Sequence, residues 1–146
     1  MAERIIIRGD SYQQRRPLYI IEMDAVNPIT GTIGPLNLAG TTVRTTFKRV
    51  PTDPVSDPND TDAPIKADIT IDSTGVATSN GLVLVGAANA GKLAHYLSAV
   101  QSRSLPLGQQ WVSDVVVIFA DTGEEISKEY TDTVSAISRI TNREVT

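Results

Sequence analysis

The chain has 146 residues, a formal net charge of −4, 40% apolar and 21% charged residues, one histidine and no cysteine. Disulfides and thiolate metal sites are thereby excluded, and there is no basic footprint for nucleic acid. A chain of this size hides roughly two-thirds of its unfolded surface, enough for a real core. No apolar run reaches the roughly 18 residues that a membrane span requires, so no membrane insertion is expected. Met1-Ala2-Glu3-Arg4-Ile5 lacks the apolar stretch of a secretory signal. Val, Ile and Thr together number 44 of the 146 residues. These side chains are stiff at χ1 and pack well on a pleated surface, so the composition leans to β structure.

Along the chain, Arg4 to Arg8 encloses Ile5-Ile6-Ile7, a short strand that stops at Gly9-Asp10. Pro17 to Met23 reads as a second strand. A turn-rich connection follows, with Asn27-Pro28, Gly31, Gly34 and Pro35. From Thr41 to Val50 the alternation of Val43, Thr45 and Phe47 with Arg44, Thr46 and Lys48 marks a half-buried strand with one wet, basic face. Pro51 to Pro64 holds four of the eight prolines together with Asp53, Asp57, Asp60 and Asp62. Proline cannot donate to a ladder, so this segment is expected to be a long, mobile, exposed loop over 51–64.

Ile65 to Ile71 alternates again, Asp72-Ser73-Thr74-Gly75 supplies a turn, and Val76 to Ser79 opens another strand. Gly81 to Val85 is short and apolar, as in a buried strand. Asn89 to Arg103 carries Leu93, Leu97 and Val100 at i, i+4 and i+7, which predicts a short amphipathic helix laid over a sheet. Trp111 to Phe119 is a strand, and Ala120-Asp121-Thr122-Gly123 a hairpin turn from which Glu124 to Lys128 returns antiparallel. From Tyr130 to Thr141 a helix and a strand both remain open. The spacing of strands and turns predicts one all-β domain over residues 1–146. It is expected to be an antiparallel β-sandwich of seven or eight strands with one short helix.

Few motifs carry chemistry. Gly86-Ala87-Ala88-Asn89-Ala90-Gly91-Lys92 matches the phosphate-cradling G-x-x-x-x-G-K, but Leu93 stands where a magnesium-binding hydroxyl is needed. Val115 to Asp121 resembles an apolar strand ending in a magnesium-binding aspartate. Too few residues follow Leu93 for the parallel strands and helical crossovers of a phosphate-loop fold. Nucleotide binding through the Gly86–Lys92 turn is therefore a remote alternative. Arg8-Gly9-Asp10 spells an adhesion tripeptide, and a strand end with a Gly-Asp turn explains it as well. The aspartates of the proline-rich loop lack the glycine and glutamate spacing of a calcium loop. His95 has no second histidine or cysteine with which to bind a metal or activate a nucleophile. Trp111 is a core aromatic or, if exposed, a sugar-stacking platform. No catalytic residue, cofactor or metal is expected.

The order of features resembles a known family. Ile7-Arg8-Gly9-Asp10, then Leu36-Asn37-Leu38-Ala39-Gly40-Thr41-Thr42-Val43-Arg44-Thr45-Thr46-Phe47-Lys48, is similar to the N-terminal immunoglobulin-like domain of phage baseplate upper proteins. Gly108-Gln109-Gln110-Trp111-Val112-Ser113-Asp114-Val115 matches that family's Gly-aromatic-x-x-Asp strand with two extra residues after the glycine. Asp121-Thr122-Gly123 and Ile140-Thr141 also fit. The resemblance implies an immunoglobulin-like sandwich and a non-enzymatic virion structural protein, assembled in the host cytoplasm. It would be a tail or baseplate adaptor, a homo-oligomer in a symmetric ring or trimer, holding fibre or receptor-binding components. Its partners would be other virion structural proteins. Arg4–Asp10, the Pro51–Pro64 loop and the tail after Tyr130 are the expected contact regions. Head decoration and a carbohydrate-binding module are the alternatives.

Overall fold

The computed structural model describes residues 4–49, 66–108 and 110–138, with side chains except at 4, 48, 49 and 128–133. The strands are β1 (Arg4–Ile7), β2 (Tyr19–Glu22), β3 (Asp24–Val26), β4 (Ile33–Pro35), β5 (Thr41–Arg49) and β6 (Lys66–Ile71). They continue with β7 (Ala77–Asn80), β8 (Leu82–Leu84), β9 (Lys92–His95), β10 (Gln110–Phe119) and β11 (Glu125–Ile137), and one helix, α1, spans Ala99–Arg103. The fold is all-β and sandwich-like.

The large sheet has six strands in the order β1-β11-β10-β5-β6-β7, and a three-stranded sheet runs β2-β9-β8. Pairing in the large sheet is antiparallel except where β1 lies parallel to β11. Period-two patterning fixes which face is dry. On β5, Val43, Thr45 and Phe47 point inward, and on β10 Trp111, Ser113, Val115 and Val117 do the same. The small sheet answers with Ile21, Leu82 and Leu93, which pack on Val43, Ile69, Ile71, Val115 and Val117. A second cluster fills the other end with Ile6, Tyr12, Leu18, Phe47, Leu97, Leu105 and Trp111.

Two expectations need correction, and one open choice is decided. The described residues hold eleven strands rather than seven or eight, because the turn-rich 24–35 segment contains its own hairpin, β3 with β4, and because β9 lies in the segment expected to be helical. Asn27 closes it: its N–H donates to the Thr32 carbonyl at 2.8 Å and its Oδ1 accepts from the Ile29 N–H at 2.9 Å. The helix expected over Asn89–Arg103 is a 3-10 turn at Ala88–Ala90, then β9, then the five-residue α1. Leu93, His95 and Leu97 face the interior at a period of two, and pairing on both sides of β9 overrides the helical spacing. The open segment after Tyr130 is the end of β11, through Ile137. The Pro51–Pro64 loop and Ile140-Thr141 lie outside the described residues.

Gly91 explains the glycine bend. It ends the 3-10 turn at φ +66, and a Cβ there would stand 2.6 Å from the Met23 carbonyl oxygen and 2.9 Å from that of Leu36. The Met23 N–H donates to the Gly91 carbonyl at 2.8 Å, so β2 and the bend are locked face to face. Gly86 also has a positive φ, +79, but open space around it. For either glycine, replacement by alanine forces a left-handed side chain at a cost of about 1–2 kcal/mol. Only Gly91→Ala adds a backbone clash. We therefore expect Gly91→Ala to unfold at distinctly lower urea than Gly86→Ala. Equal midpoints would mean that the approach at Gly91 relaxes freely.

Candidate functional site

The G-x-x-x-x-G-K segment joins β8 to β9, two antiparallel neighbours, instead of leading from a strand into a helix. No helix N-terminus follows to receive a phosphate. Lys92 lies on the outward face of β9 with its Nζ 3.5 Å from Glu22 Oε1, both side chains about half exposed or more. The Val115–Asp121 segment runs antiparallel to both its neighbours, and Asp121 stands in the exposed hairpin turn. The structural setting that either phosphate motif needs is therefore replaced by hairpins.

Arg8-Gly9-Asp10 is committed to the fold. The Arg8 guanidinium donates to the Arg103 carbonyl from Nη2 at 2.7 Å and from Nε at 3.2 Å. The Gly9 N–H donates to Ser102 Oγ at 2.9 Å, and that hydroxyl lies 2.8 Å from the Asp10 carbonyl and 3.1 Å from that of Ala99. Asp10 Oδ2 meets Arg16 Nη2 at 3.0 Å, and the Arg16 guanidinium sits 4.5 Å from the Tyr12 ring centroid. The tripeptide thus pins the end of β1 to α1. The helix itself begins with a capping box: Ser98 Oγ accepts from the Gln101 N–H at 3.1 Å, and Gln101 Oε1 accepts from the Ser98 N–H at 2.9 Å. Sequence reasoning missed this box, although Ser98-x-x-Gln101 spells it. Replacing the fully buried Ser102 with alanine leaves the Gly9 N–H without an acceptor. Ser102→Ala should cost about 1–3 kcal/mol by urea unfolding, whereas a loss no larger than that of an exposed Ser104→Ala control would count against the knot.

His95 lies on β9 rather than on a helix, and only 1% of its surface is exposed. Its ring meets Phe47 edge-on, with centroids 5.8 Å apart. His95 Nε2 and Trp111 Nε1 have no hydrogen-bond partner among the described residues. Trp111 is 4% exposed, so it cannot serve as a sugar-stacking platform. Burial lowers the His95 imidazole from 6.5 to about 4. In the unfolded chain it keeps its ordinary value, so acid protonates the unfolded state first. The contribution of His95 to stability is complete above pH 6.5 and is lost as pH falls from there to about 4. That loss amounts to about 3 kcal/mol. In a His95→Leu protein this component should vanish, so urea midpoints at pH 7 and near pH 4 should differ less than in the wild type. Parallel losses in both proteins would contradict it.

Of the expected contact regions, Arg4–Asp10 is partly interior, with Ile6 at the centre of the second core cluster. Val134 and Ala136 of the segment after Tyr130 lie in the same cluster. The aspartates of the proline-rich loop lie outside the described residues. Among the described residues, no three His, Cys, Asp or Glu side chains are placed to hold a metal ion. Among them, too, no helix is long and apolar enough to cross a membrane.

Some exposed apolar and charged side chains lie at the ends of the sandwich. The β3–β4 hairpin exposes Val26, Ile29 and Ile33, with Ile29 92% accessible. The turns before β5, between β6 and β7 and between β10 and β11 meet: the Gly40 N–H donates to the Asp72 carbonyl and the Ala120 N–H to the Gly40 carbonyl, each at 3.0 Å. Asp72 organises its own turn. Its Oδ1 accepts from Thr74 Oγ1 at 2.6 Å and from the Thr74 and Val76 N–H groups at 2.9 and 3.0 Å. Those bonds, the Thr74 hydroxyl first and then the Val76 amide, hold its carboxyl below the usual value. A scan against protein-family models gives no match, and a search of curated proteins finds no relative.

Proposed function

We propose that this chain is a non-enzymatic structural component of a virion, a phage tail or baseplate adaptor with an immunoglobulin-like sandwich. It assembles with copies of itself into a ring or trimer and holds fibre or receptor-binding components. One observation carries this reading. The segments that resemble the baseplate family fall on adjoining strands of the large sheet. Gly9-Asp10 closes β1, Leu36 to Lys48 runs into β5, Trp111 to Asp114 opens β10, and Asp121 to Gly123 turns from β10 to β11. Support also comes from the fate of the chemical groups. The one histidine is sealed in the core and the adhesion tripeptide is spent on internal hydrogen bonds. The buried Trp111 gives the carbohydrate-binding alternative little to work with.

The test is mass spectrometry on purified particles from a lysate of the phage that encodes the chain. The expected result is recovery of its peptides in tail fractions at a fixed ratio to other tail proteins. Recovery with capsids alone would favour the head-decoration alternative. Absence from every particle fraction would end the virion reading.

A further inference from the structure

The sandwich has two chemically opposite ends. Thr41 pairs with Phe119 at one end of β5 and Arg49 with Trp111 at the other. At about 3.3 Å per residue, these eight steps separate the ends by about 26 Å. At the Thr41 end, residues 38–42, 72–76 and 120–125 carry Asp72, Asp121, Glu124 and Glu125 and no Lys or Arg. All four acidic residues are exposed, and Val76 lies exposed among them. The β3–β4 hairpin springs from this same end: the Leu36 N–H donates to the Met23 carbonyl at 2.9 Å and the Leu38 N–H to the Ala88 carbonyl at 3.0 Å. It carries the exposed Ile29 and Ile33.

At the other end, residues 8–16 and 98–108 carry Arg8, Arg15, Arg16 and Arg103 against Asp10 alone. Arg8 and Arg103 are brought together because one donates to the other's carbonyl, and Arg16 joins them through Asp10. Val100 and Leu107 are exposed beside these arginines. Among the described residues, each of these groups of turns therefore combines exposed apolar side chains with an excess of one sign of charge, and the signs are opposite.

We infer that these two ends are the faces of one head-to-tail contact, the acidic hairpin end of one copy docking on the arginine-rich α1 end of the next. A second copy is the occupant because it supplies both complementary surfaces from the same chain. Charge of opposite sign steers the encounter and sets the register, while the apolar side chains lose contact with water. A head-to-tail contact is heterologous, so repeated copies close into a ring or extend as a filament, according to the rotation at each step. This inference rests on the assembly reading above and names its surface.

Analytical ultracentrifugation of the full chain at about 0.01 M and about 1 M salt tests it, since the screening length falls from about 30 Å to about 3 Å between them. Association should be strong in the first and at least about tenfold weaker in the second. The triple variant Asp121→Lys, Glu124→Lys, Glu125→Lys has two basic ends, and Arg15→Glu with Arg103→Glu makes both ends acidic. Neither should associate alone, and mixing them should restore association. Ile29→Asp should weaken it at both salt concentrations. If a variant fails to fold by circular dichroism, the salt dependence of the wild type still decides the matter. A wild type that is monomeric at low salt, or variants that associate as it does, would overturn the inference. Recovery of the chain in tail particles would then leave the virion reading standing. Salt-sensitive assembly of a chain absent from particles would do the reverse.

Discussion

The interior face of β9 is the constraint on which the other elements depend. Its inward residues Leu93 and His95, with Leu97 just beyond, are almost fully buried, and β9 is the middle strand of the small sheet. It must present these side chains to β5 and β10 while pairing on both sides. To reach that position the chain has to turn sharply after β8, and only a glycine at 91 lets the bend approach Met23 and Leu36 so closely. A second glycine, Gly81, does the same at the corner between β7 and β8, where a Cβ would stand 2.8 Å from that of Ala67. Burying His95 is the cost of this arrangement. Its imidazole is held neutral with no partner for Nε2 among the described residues, a tolerable state at neutral pH and an unfavourable one in acid.

This constraint also explains what could be read beforehand. The β5 and β10 strands were legible because one face of each is dry, from Thr41 to Phe47 and from Trp111 to Val117, so period two persists over seven residues in each. The stretch from Leu93 to Val100 was not, since Leu93, Leu97 and Val100 satisfy a helical period while Leu93, His95 and Leu97 satisfy a strand period. What separates the two is pairing to β2 and β8, a non-local fact. Val100, the residue that completed the helical stripe, is exposed. The β3–β4 hairpin was hidden for the opposite reason. Val26 and Ile33 face each other across it but bury little, so no wet and dry alternation marks them. The acidic turns were each visible as turns, yet nothing in the sequence says that Gly40 would join Asp72 to Ala120 and so gather their carboxylates at one end.

The same geometry bears on how such a chain assembles. Exposed strand edges are the ordinary route, because their unpaired amides and carbonyls invite another strand. Here both edges of the large sheet are blunted. On β1 the Ile7 N–H is taken up by Tyr12 Oη at 2.8 Å, and Tyr12 is held by paired backbone bonds with Leu97. At the far edge, β7 is only four residues long, with Thr78, Ser79 and Asn80 exposed. Short polar edge strands are poor templates for β addition. The most exposed large apolar side chains, Ile29, Ile33 and Val100, lie instead in the β3–β4 hairpin and on α1. The proposed contact through the ends would keep each copy's sheets intact and leave the long faces of the sandwich free for a different partner. Such a division of surfaces would suit the proposed adaptor, which has to bind its own kind and something else at the same time.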